Sequence, residues 1–301
     1  MVYFHGTTDF YIEGPTAVTL GKFDGIHRGH QKLMQRILDI EKADPAVRST
    51  AFVFNSNKND QLMTAAEQKR LIAEMNISYL VNCPFVPEIT GMLPEEFVRD
   101  VLLGKLHASH IVVGTDFRFG YKRSGDTGVL KDLQDKYGYR LDIIEKEKYM
   151  GREISSTYVR EALSAGSMEL AKTLLGRNYT VEGTVVRGRH MGTGMGMPTA
   201  NLVPPAEKML PPNGVYISET VMDDQVYRGV TNVGYKPTIG ETFKGVETYM
   251  FGIGSKDELY GREIRVSLLH YLRPEVRFDS IDSLKAQIRK DIQSGKEYFG
   301  E

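Results

Sequence analysis

Two histidines, His27 and His30, stand where an apolar run ends and a helical pattern begins. Residues 17–20 predict the preceding β-strand. A helix N-terminus offers free N–H groups and a partial positive charge, and both favour a bound phosphate. The histidines share one side of that helix start, and Gly29 between them permits close approach of a nucleotide. This layout suits attack of a phosphate on the α-phosphate of ATP; two ordinary helix-capping histidines are the alternative.

Two further segments carry polar groups suited to the same ligand. Asp116 and Arg118 follow a strand predicted over residues 110–114, and the carboxyl ends of parallel strands share one edge of a sheet. A helix predicted over residues 155–163 opens with three hydroxyls and then presents Arg160. Hydroxyls, helix N–H groups and a guanidinium together suit a triphosphate, although the hydroxyls alone are typical of N-capping. The hydroxyls belong to Ser155, Ser156 and Thr157.

A glycine-rich run in the second half leads into a polar pair. Glycines recur between residues 183 and 196, and Pro-Thr-Ala-Asn follows at residues 198–201. Such a run followed by Thr199 and Asn201 can wrap the phosphates of ATP together with Mg²⁺. The glycines taken alone are more typical of a connecting loop.

The elements that must position these residues change in kind along the chain. The first half alternates strand and helix patterns, which predicts an α/β fold with a doubly wound parallel sheet. Strands are predicted at residues 17–20, 49–54, 78–81, 110–114 and 139–144. Helices are predicted at residues 29–42, from 64, from 94, and at 130–137, 155–163 and 168–175. The first of these helices carries an apolar stripe of Leu33, Met34, Ile37 and Leu38.

After Gly176 the pattern becomes strand-rich, which predicts a small antiparallel β-barrel. Its strands are expected at residues 179–186, 214–221, 225–233, 246–253 and 263–271. Ser280 caps a predicted C-terminal helix with an apolar face of Leu284, Ile288 and Ile292. We therefore expect two domains, at residues 1–176 and 177–301.

Composition narrows the classes of partner. Lys and Arg number 38 and Asp and Glu 39, so no bulk positive field favours nucleic acid. Cys83 is the single cysteine, which excludes a disulfide framework and a cysteine-rich zinc site. The chain has no apolar run long enough to span a bilayer and no secretory pattern at its start. We expect a cytoplasmic protein with small-molecule partners and no membrane partner, in an oligomeric state that the sequence leaves open.

The first half resembles the adenylyltransferase domain of bacterial riboflavin kinase/FAD synthetases, in the wider H-x-G-H nucleotidyltransferase superfamily. The matching motifs are Phe-Asp-Gly at 23–25, His-Arg-Gly-His at 27–30, Asp-Phe-Arg-Phe-Gly at 116–120 and Ile-Ser-Ser-Thr-x-x-Arg at 154–160. The resemblance implies a Rossmann-like fold in which His27 and His30 stabilise the transition state at the ATP phosphates. It implies an ATP site that includes Gly21, Phe23, Asp24, Gly29, Ser155, Ser156, Thr157 and Arg160. It implies contacts with the flavin substrate, FMN, from Asn57, Asp116 and Arg118.

The second half resembles riboflavin kinases. The matching segments are Pro-Thr-Ala-Asn at 198–201, Gly-Val-Tyr at 214–216, Asn-Val-Gly at 232–234, Val-Glu-Thr at 246–248 and Tyr-Leu-Arg-Pro-Glu at 271–275. The resemblance implies that Thr199 and Asn201 bind Mg-ATP near Gly188. It implies that Glu247 takes the proton from the riboflavin 5′-hydroxyl and that Tyr271 and Arg273 belong to a loop over the flavin. The implied reactions convert riboflavin to FMN and FMN to FAD.

Three positions depart from the family pattern. Asn57 stands where the family has the histidine of a Pro-His-Pro sequence, and it can donate a hydrogen bond but carries no charge. Thr193 and Met197 replace an arginine and an aromatic residue before Pro-Thr-Ala-Asn. These departures leave two alternatives open, namely an enzyme that keeps only one activity and a flavin-binding regulator without turnover.

Overall fold

The computed structural model describes residues 1–54, 59–187, 198–237, 242–253 and 259–301. Packing divides the chain into two compact units. The first unit comprises Met1–Lys58 and Ala65–Ser155, and the second comprises Asn59–Thr64 and Ser156–Glu301. This division follows spatial packing, and the functional boundary near Gly176 stays a prediction.

The first unit is built on one parallel six-stranded sheet, which confirms the predicted α/β fold. Its strands are β1 (Val2–His5), β2 (Thr16–Gly21), β3 (Arg48–Phe54), β4 (Tyr79–Cys83), β5 (Ala108–Gly114) and β6 (Arg140–Ile144). They lie in the order β1-β4-β3-β2-β5-β6. The chain steps outward from β2 to β4 and then returns to β5 on the other side of β2. The strand order therefore reverses beside β2, and open parallel sheets bind ligands at the carboxyl edge of such a point.

Helices connect these strands, and the first of them carries the apolar stripe that the sequence predicts. The helices are α1 (Arg28–Ala43), α2 (Ala65–Glu74), α3 (Pro87–Thr90), α4 (Pro94–Glu96) and α5 (Thr127–Tyr137). A π-helical turn at Phe97–Leu103 continues α4, and a hairpin of β7 (Lys148–Tyr149) and β8 (Arg152–Glu153) follows β6. In α1 the buried side chains are Leu33, Met34, Ile37 and Ile40, while Leu38 is only half-buried.

The second unit is a curled antiparallel sheet with helices, which confirms the predicted barrel and C-terminal helix. Its helices are α6 (Ser156–Ser164), α7 (Met168–Leu175) and α8 (Ile281–Phe299). Its strands are β9 (Tyr179–Thr184), β10 (Thr199–Leu202), β11 (Gly214–Met222), β12 (Gln225–Pro237), β13 (Thr242–Met250) and β14 (Glu263–Arg273). They lie in the order β10-β13-β12-β11-β14-β9. The edges meet where the Val186 N–H donates to the Asn201 carbonyl at 2.9 Å, so the sheet curls onto itself.

The C-terminal helix begins where its capping residue predicts. The Ser280 hydroxyl accepts the Ser283 N–H at 3.2 Å. The predicted apolar face is half-buried, and the fully buried positions of α8 are Asp291 and Gly295. A Cβ at Gly295 would lie 2.9 Å from the Phe251 ring, so this glycine allows close packing of the helix.

A short piece of chain between β3 and α2 belongs to the second unit. Within Asn59–Thr64, Gln61 forms a parallel bridge with Lys208. Lys208 is buried, and its ammonium donates to the carbonyls of Leu62 at 3.0 Å and Thr180 at 2.9 Å. A buried ammonium requires such partners, so this segment is part of the packing of the unit.

Gly229 in β12 is a position where we expect a methyl group to destabilise the barrel. A Cβ there would lie 2.2 Å from the backbone carbonyl oxygen of Tyr249, which cannot move without distorting β13. We expect Gly229→Ala to lower the free energy of unfolding by about 1–3 kcal/mol, measured by urea unfolding. Gly183→Ala in β9 is the matched control, because its Cβ would meet the Leu202 side chain at an ordinary 3.7 Å. Equal stability of the two variants would contradict the argument.

Candidate active sites

The loop between β2 and α1 is folded around left-handed backbone angles. Phe23 and Ile26 have φ angles of +47° and +37°, and Gly25 has +83°. A left-handed angle costs a non-glycine residue about 1–3 kcal/mol, so contacts must hold the loop in place. Phe23 and Ile26 are buried, Asp24 is half-buried, and the Ile26 N–H donates to the Phe23 carbonyl at 3.2 Å. The loop delivers His27 to the start of α1 as its N-cap.

His27 and His30 lie against one another at the N-terminus of α1. Their rings stack with centroids 3.6 Å apart, and His27 Nδ1 accepts the His30 backbone N–H at 3.4 Å. The Phe23 ring meets the His30 ring edge-on, with centroids 5.2 Å apart. His30 Nδ1 is buried and has no hydrogen-bond partner within the described part of the chain. Such an atom marks a place where a ligand can supply the missing partner.

The electrostatics favour a neutral ring at His30. Burial, and then the charge of His27, hold the pKa of His30 well below its ordinary value. His30 is therefore neutral at pH 7, and the positive end of α1 opposes its protonation further. Neutral imidazole N–H and backbone N–H groups at a helix start can donate hydrogen bonds to phosphate oxygens.

We expect the unliganded protein to lose stability as pH falls below about 6.5, partly because of His30. Its folded pKa is depressed, so at acid pH the unfolded chain binds more protons than the folded chain, and the free energy of unfolding falls. His30→Asn removes this titration and should show a shallower decline between pH 6.5 and 5 in urea unfolding. Parallel declines for the two proteins would count against the buried, neutral imidazole.

Gly21 and Gly29 leave room for aromatic rings. A Cβ at Gly21 would lie 3.2 Å from the Phe23 ring. At Gly29 it would lie 3.2 Å from His27 Nδ1 and 3.7 Å from the Ile154 carbonyl oxygen. The helix start is therefore closely approached by the strand-like segment that leads to Ser155, the last residue of the first unit.

Asp116 and Arg118 follow β5, which pairs directly with β2. Arg118 Nη1 lies 2.6 Å from the Asp126 carboxylate, and Lys146 Nζ lies 2.8 Å from the Asp116 carboxylate. Exposed ion pairs of this kind contribute at most about 1 kcal/mol, so a phosphate ligand can compete for these cations. The adjacent strands thus bring the predicted residues to the same carboxyl edge as the histidines.

An aromatic cluster at this edge was missed by the sequence analysis. Phe54 ends β3, and its ring centroid lies 6.2 Å from Phe85 and 6.1 Å from Phe97. Phe97 contacts Phe119 at 5.9 Å, and Phe119 stacks on Phe117 at 5.4 Å. Phe85 is 65% exposed, so part of the cluster faces solvent. Aromatic residues at or just after the ends of predicted strands were the sequence signal that could have revealed this cluster.

Ser156, Thr157 and Arg160 lie in the second unit, where Ser156 is the first residue of α6. Arg160 Nε donates to the Asp60 carbonyl at 3.0 Å. Their part at the ATP phosphates stays a prediction.

The second candidate site lies on β10, β13 and β12. Asn201 is the register partner of Glu247, and Glu247 is the register partner of Asn232. Directly opposed residues share one face of a sheet, and Thr199, two residues from Asn201, shares it too. The Thr199 hydroxyl donates to Glu247 Oε1 at 2.7 Å. The predicted base and the predicted ATP ligands are therefore in one place.

Tyr271 and Arg273 end β14, and the structure gives each a partner. Arg273 forms a two-pronged ion pair with buried Asp291 of α8, with Nε–Oδ1 and Nη2–Oδ2 distances of 2.8 and 2.6 Å. The Tyr271 ring lies 5.1 Å from Tyr216, and its hydroxyl donates to the Asn213 carbonyl at 3.4 Å. The segment after β14 is thus fixed to the barrel, and flavin contact by these residues stays a prediction.

Glu275 continues this segment over the barrel. Its two carboxylate oxygens accept hydrogen bonds from the side-chain amides of Asn232 and Asn213, each at 3.2 Å. Because Asn232 is also the register partner of Glu247, this segment reaches the strand beside the predicted base.

Some predicted residues lie outside the described part of the chain, namely Asn57, Gly188, Thr193 and Met197. Within the described ranges, no group of three or more His, Cys, Asp or Glu side chains is arranged to hold a metal ion. No helix among the described residues is both long and apolar enough to cross a membrane.

Family models match both halves of the chain. The FAD synthetase model matches residues 11–158, and the riboflavin kinase model matches residues 175–299. The parallel sheet and the barrel thus define a two-part transferase of flavin cofactor synthesis.

Similar proteins cover nearly the whole length. The bifunctional riboflavin kinase/FMN adenylyltransferase of Escherichia coli K12 is 34% identical over 94% of this chain and 92% of its own. The protein of the same description from Listeria monocytogenes is 29% identical, over 99% and 98%. The chain belongs to the bifunctional riboflavin kinase/FMN adenylyltransferase family, and both activities are its own. A solved Streptococcus pneumoniae structure described as a macrolide-efflux protein superposes with a TM-score of 0.84, at 27% identity over 96% of both chains.

Proposed function

We propose that the barrel phosphorylates riboflavin with Glu247 as general base. Glu247 takes the proton of the riboflavin 5′-hydroxyl, the oxygen attacks the γ-phosphorus of ATP, FMN forms and ADP leaves. The observation that carries this proposal is the 2.7 Å hydrogen bond from Thr199 to Glu247, since it joins the base to an ATP ligand.

Mg²⁺ fits the same site. Hydroxyl and amide oxygens are hard ligands of the kind this ion prefers, and Thr199 and Asn201 supply them on one face of β10. When bound with ATP, the ion neutralises phosphate charge. Thr199 and Asn201 orient the nucleotide, with Gly188 in the preceding glycine-rich run. Tyr271 covers the flavin, and Arg273 acts by tying its segment to α8 through Asp291.

The proposed adenylyltransferase domain, residues 1–176, adenylylates FMN. An oxygen of the FMN phosphate attacks the α-phosphorus of ATP, and pyrophosphate leaves. His27 and His30 donate hydrogen bonds to the phosphates beside the free N–H groups of α1, and the vacant hydrogen-bonding capacity of His30 supports this role. The nucleotide binds along the loop of Gly21, Phe23, Asp24 and Gly29, with further phosphate contacts from Ser155, Ser156, Thr157 and Arg160.

The flavin of this second reaction binds at the carboxyl edge of the parallel sheet. The aromatic cluster, with Phe85 exposed at its rim, offers an apolar surface for its ring system. Asp116 and Arg118 act on its polar groups, with Asn57 in the loop after β3. The functional domains are residues 1–176 and 177–301, and the ranges of the two family models support this boundary.

A chromatographic product assay measures both reactions, and the same assay on the Glu247 and His30 variants tests the two site assignments. Purified protein is incubated with ATP, Mg²⁺ and either riboflavin or FMN, with oxidised and then reduced flavin. FAD from riboflavin establishes both reactions. FAD from FMN alone would mean that the kinase has lapsed, with Thr193 and Met197 as first suspects, and FMN alone would point to Asn57. Absence of any product would favour the flavin-binding regulator.

The partners that follow from these reactions are ATP and flavins. The absence of a nucleic-acid partner stays a prediction, supported by the balance of 38 basic and 39 acidic residues. A cytoplasmic location and the absence of a membrane partner stay predictions as well.

A further inference from the structure

We propose that Gln68 of α2 is a positioning residue for adenylyl transfer, because it holds the loop from which α1 presents His27 and His30. This inference rests on the proposed role of those histidines. Gln68 is distant from them in sequence, and no catalytic pattern includes it.

The Gln68 side chain fastens the loop by two hydrogen bonds. It is 8% exposed, and its Nε2 donates to the carbonyl oxygens of Lys22 at 3.0 Å and Phe23 at 3.1 Å. Both N–H groups of one amide thus converge on two consecutive carbonyls. A surface helix does not need a buried glutamine for its own stability, since apolar side chains fill such positions at lower desolvation cost.

The fastened residues are those that carry strain. Phe23 and Ile26 adopt left-handed backbone angles, which strain the loop. Another backbone conformation would relieve that strain. Gln31 of α1 provides a second fastening from the other side, with Nε2 donating to the Ile26 carbonyl at 2.9 Å. The strained loop is therefore held at its start by Gln68 and at its end by Gln31.

The loop conformation reaches the reacting groups through Phe23. Its ring packs edge-on against His30 and also fills the space over Gly21. If the carbonyls of Lys22 and Phe23 lose their donor, the loop can relax toward ordinary angles and the ring leaves His30. A displacement of about 1 Å in a site that works by positioning can cost on the order of 100-fold in rate.

The test compares two variants of matched size. Gln68→Met keeps the volume and removes both donors, whereas Gln68→Lys keeps an N–H donor that can reach the carbonyls. We expect Gln68→Met to lower kcat for FAD formation from FMN by about 10- to 100-fold, with a smaller change in KM. Gln68→Lys should retain activity within about threefold. Riboflavin phosphorylation, measured in the same samples, should be unchanged and reports the amount of folded barrel.

Three outcomes would overturn the inference. The first is a wild-type kcat for FAD formation in Gln68→Met, and the second is an equal loss of kcat in Gln68→Lys. The third is a loss of kcat that is fully accounted for by a lower melting temperature of the variant. If Gln68→Met does not fold, Gln31→Met replaces it, since it releases the other end of the loop and should lower the same kcat. His30→Ala, assayed in parallel, separates the two hypotheses. If it retains FAD formation, the histidine assignment fails whatever Gln68 does; if it is inactive while Gln68→Met is normal, only the positioning role fails.

Discussion

His30→Ala should lower kcat for FAD formation from FMN by about 100- to 1000-fold while riboflavin phosphorylation continues at the wild-type rate. The imidazole is stacked on His27 at 3.6 Å, and its Nδ1 is buried without a partner in the described chain. Because Nδ1 has no hydrogen bond to lose in the described chain, we expect the loss of the ring to act chiefly on the bound phosphates. Initial rates of FAD and FMN formation on one preparation provide the measurement.

His110→Ala is the matched control for this variant. His110 lies on β5 of the same unit, near its amino end, whereas the proposed site lies at the carboxyl edge. Burial also lowers the pKa of His110, so His30 and His110 share a lowered pKa. They differ in their position along the sheet. We expect the control to keep FAD formation. Loss of both activities in a folded His30→Ala protein would contradict two separate sites.

Glu247→Gln should produce the opposite result, with FMN formation lowered by about 100- to 10,000-fold and FAD formation from supplied FMN retained. The amide preserves the shape of the side chain, and its oxygen can still accept the Thr199 hydroxyl. The capacity to take a proton is removed, together with the negative charge. Single-turnover formation of FMN, with ATP and Mg²⁺ in excess, measures the chemical step.

The barrel itself offers a control with the same pair of residue types. The Thr184 hydroxyl donates to the Glu263 carboxylate across β9 and β14, as Thr199 does to Glu247 across β10 and β13. Glu263→Gln should leave both activities unchanged. If Glu247→Gln and Glu263→Gln lower FMN formation equally, Glu247 acts through the stability of the sheet and not on the substrate.

Much of the fold follows from local patterns. Helix α7 occupies residues 168–175 as predicted, because its apolar spacing is regular and Gly176 ends it in a left-handed conformation. The position of His27 and His30 after a buried strand predicted their helix start and their shared side. The register of Glu247 with Asn201 depends on barrel pairing, which the sequence analysis obtained only through the family resemblance.

Other features depend on contacts between distant segments. Strand β1 is short and half-exposed, and it forms only because β4 offers it an edge. Strand β10 has only four residues and lies directly after the glycine-rich run, so its short Thr-Ala-Asn-Leu alternation was not predicted as a strand. The Arg118 and Arg273 ion pairs join residues 8 and 18 positions apart, and the Gln68 amide reaches Phe23 across 45 positions. Asp126, Asp291 and Gln68 belong to no motif that the sequence analysis identified. Sequence periodicity carries no information about such partners.

The buried ammonium of Lys208 also bears on where the chain can be divided without loss of stability. This ammonium donates a hydrogen bond to Leu62, which lies in the segment Asn59–Thr64. In sequence, this segment interrupts the half of the chain that forms the parallel sheet. A fragment cut after Ser155 would carry Lys208 without that carbonyl, and a buried charge that loses a partner is costly. The barrel therefore draws part of its packing from residues 59–64, and we expect a fragment that begins after Ser155 to be less stable than the same barrel in the full chain.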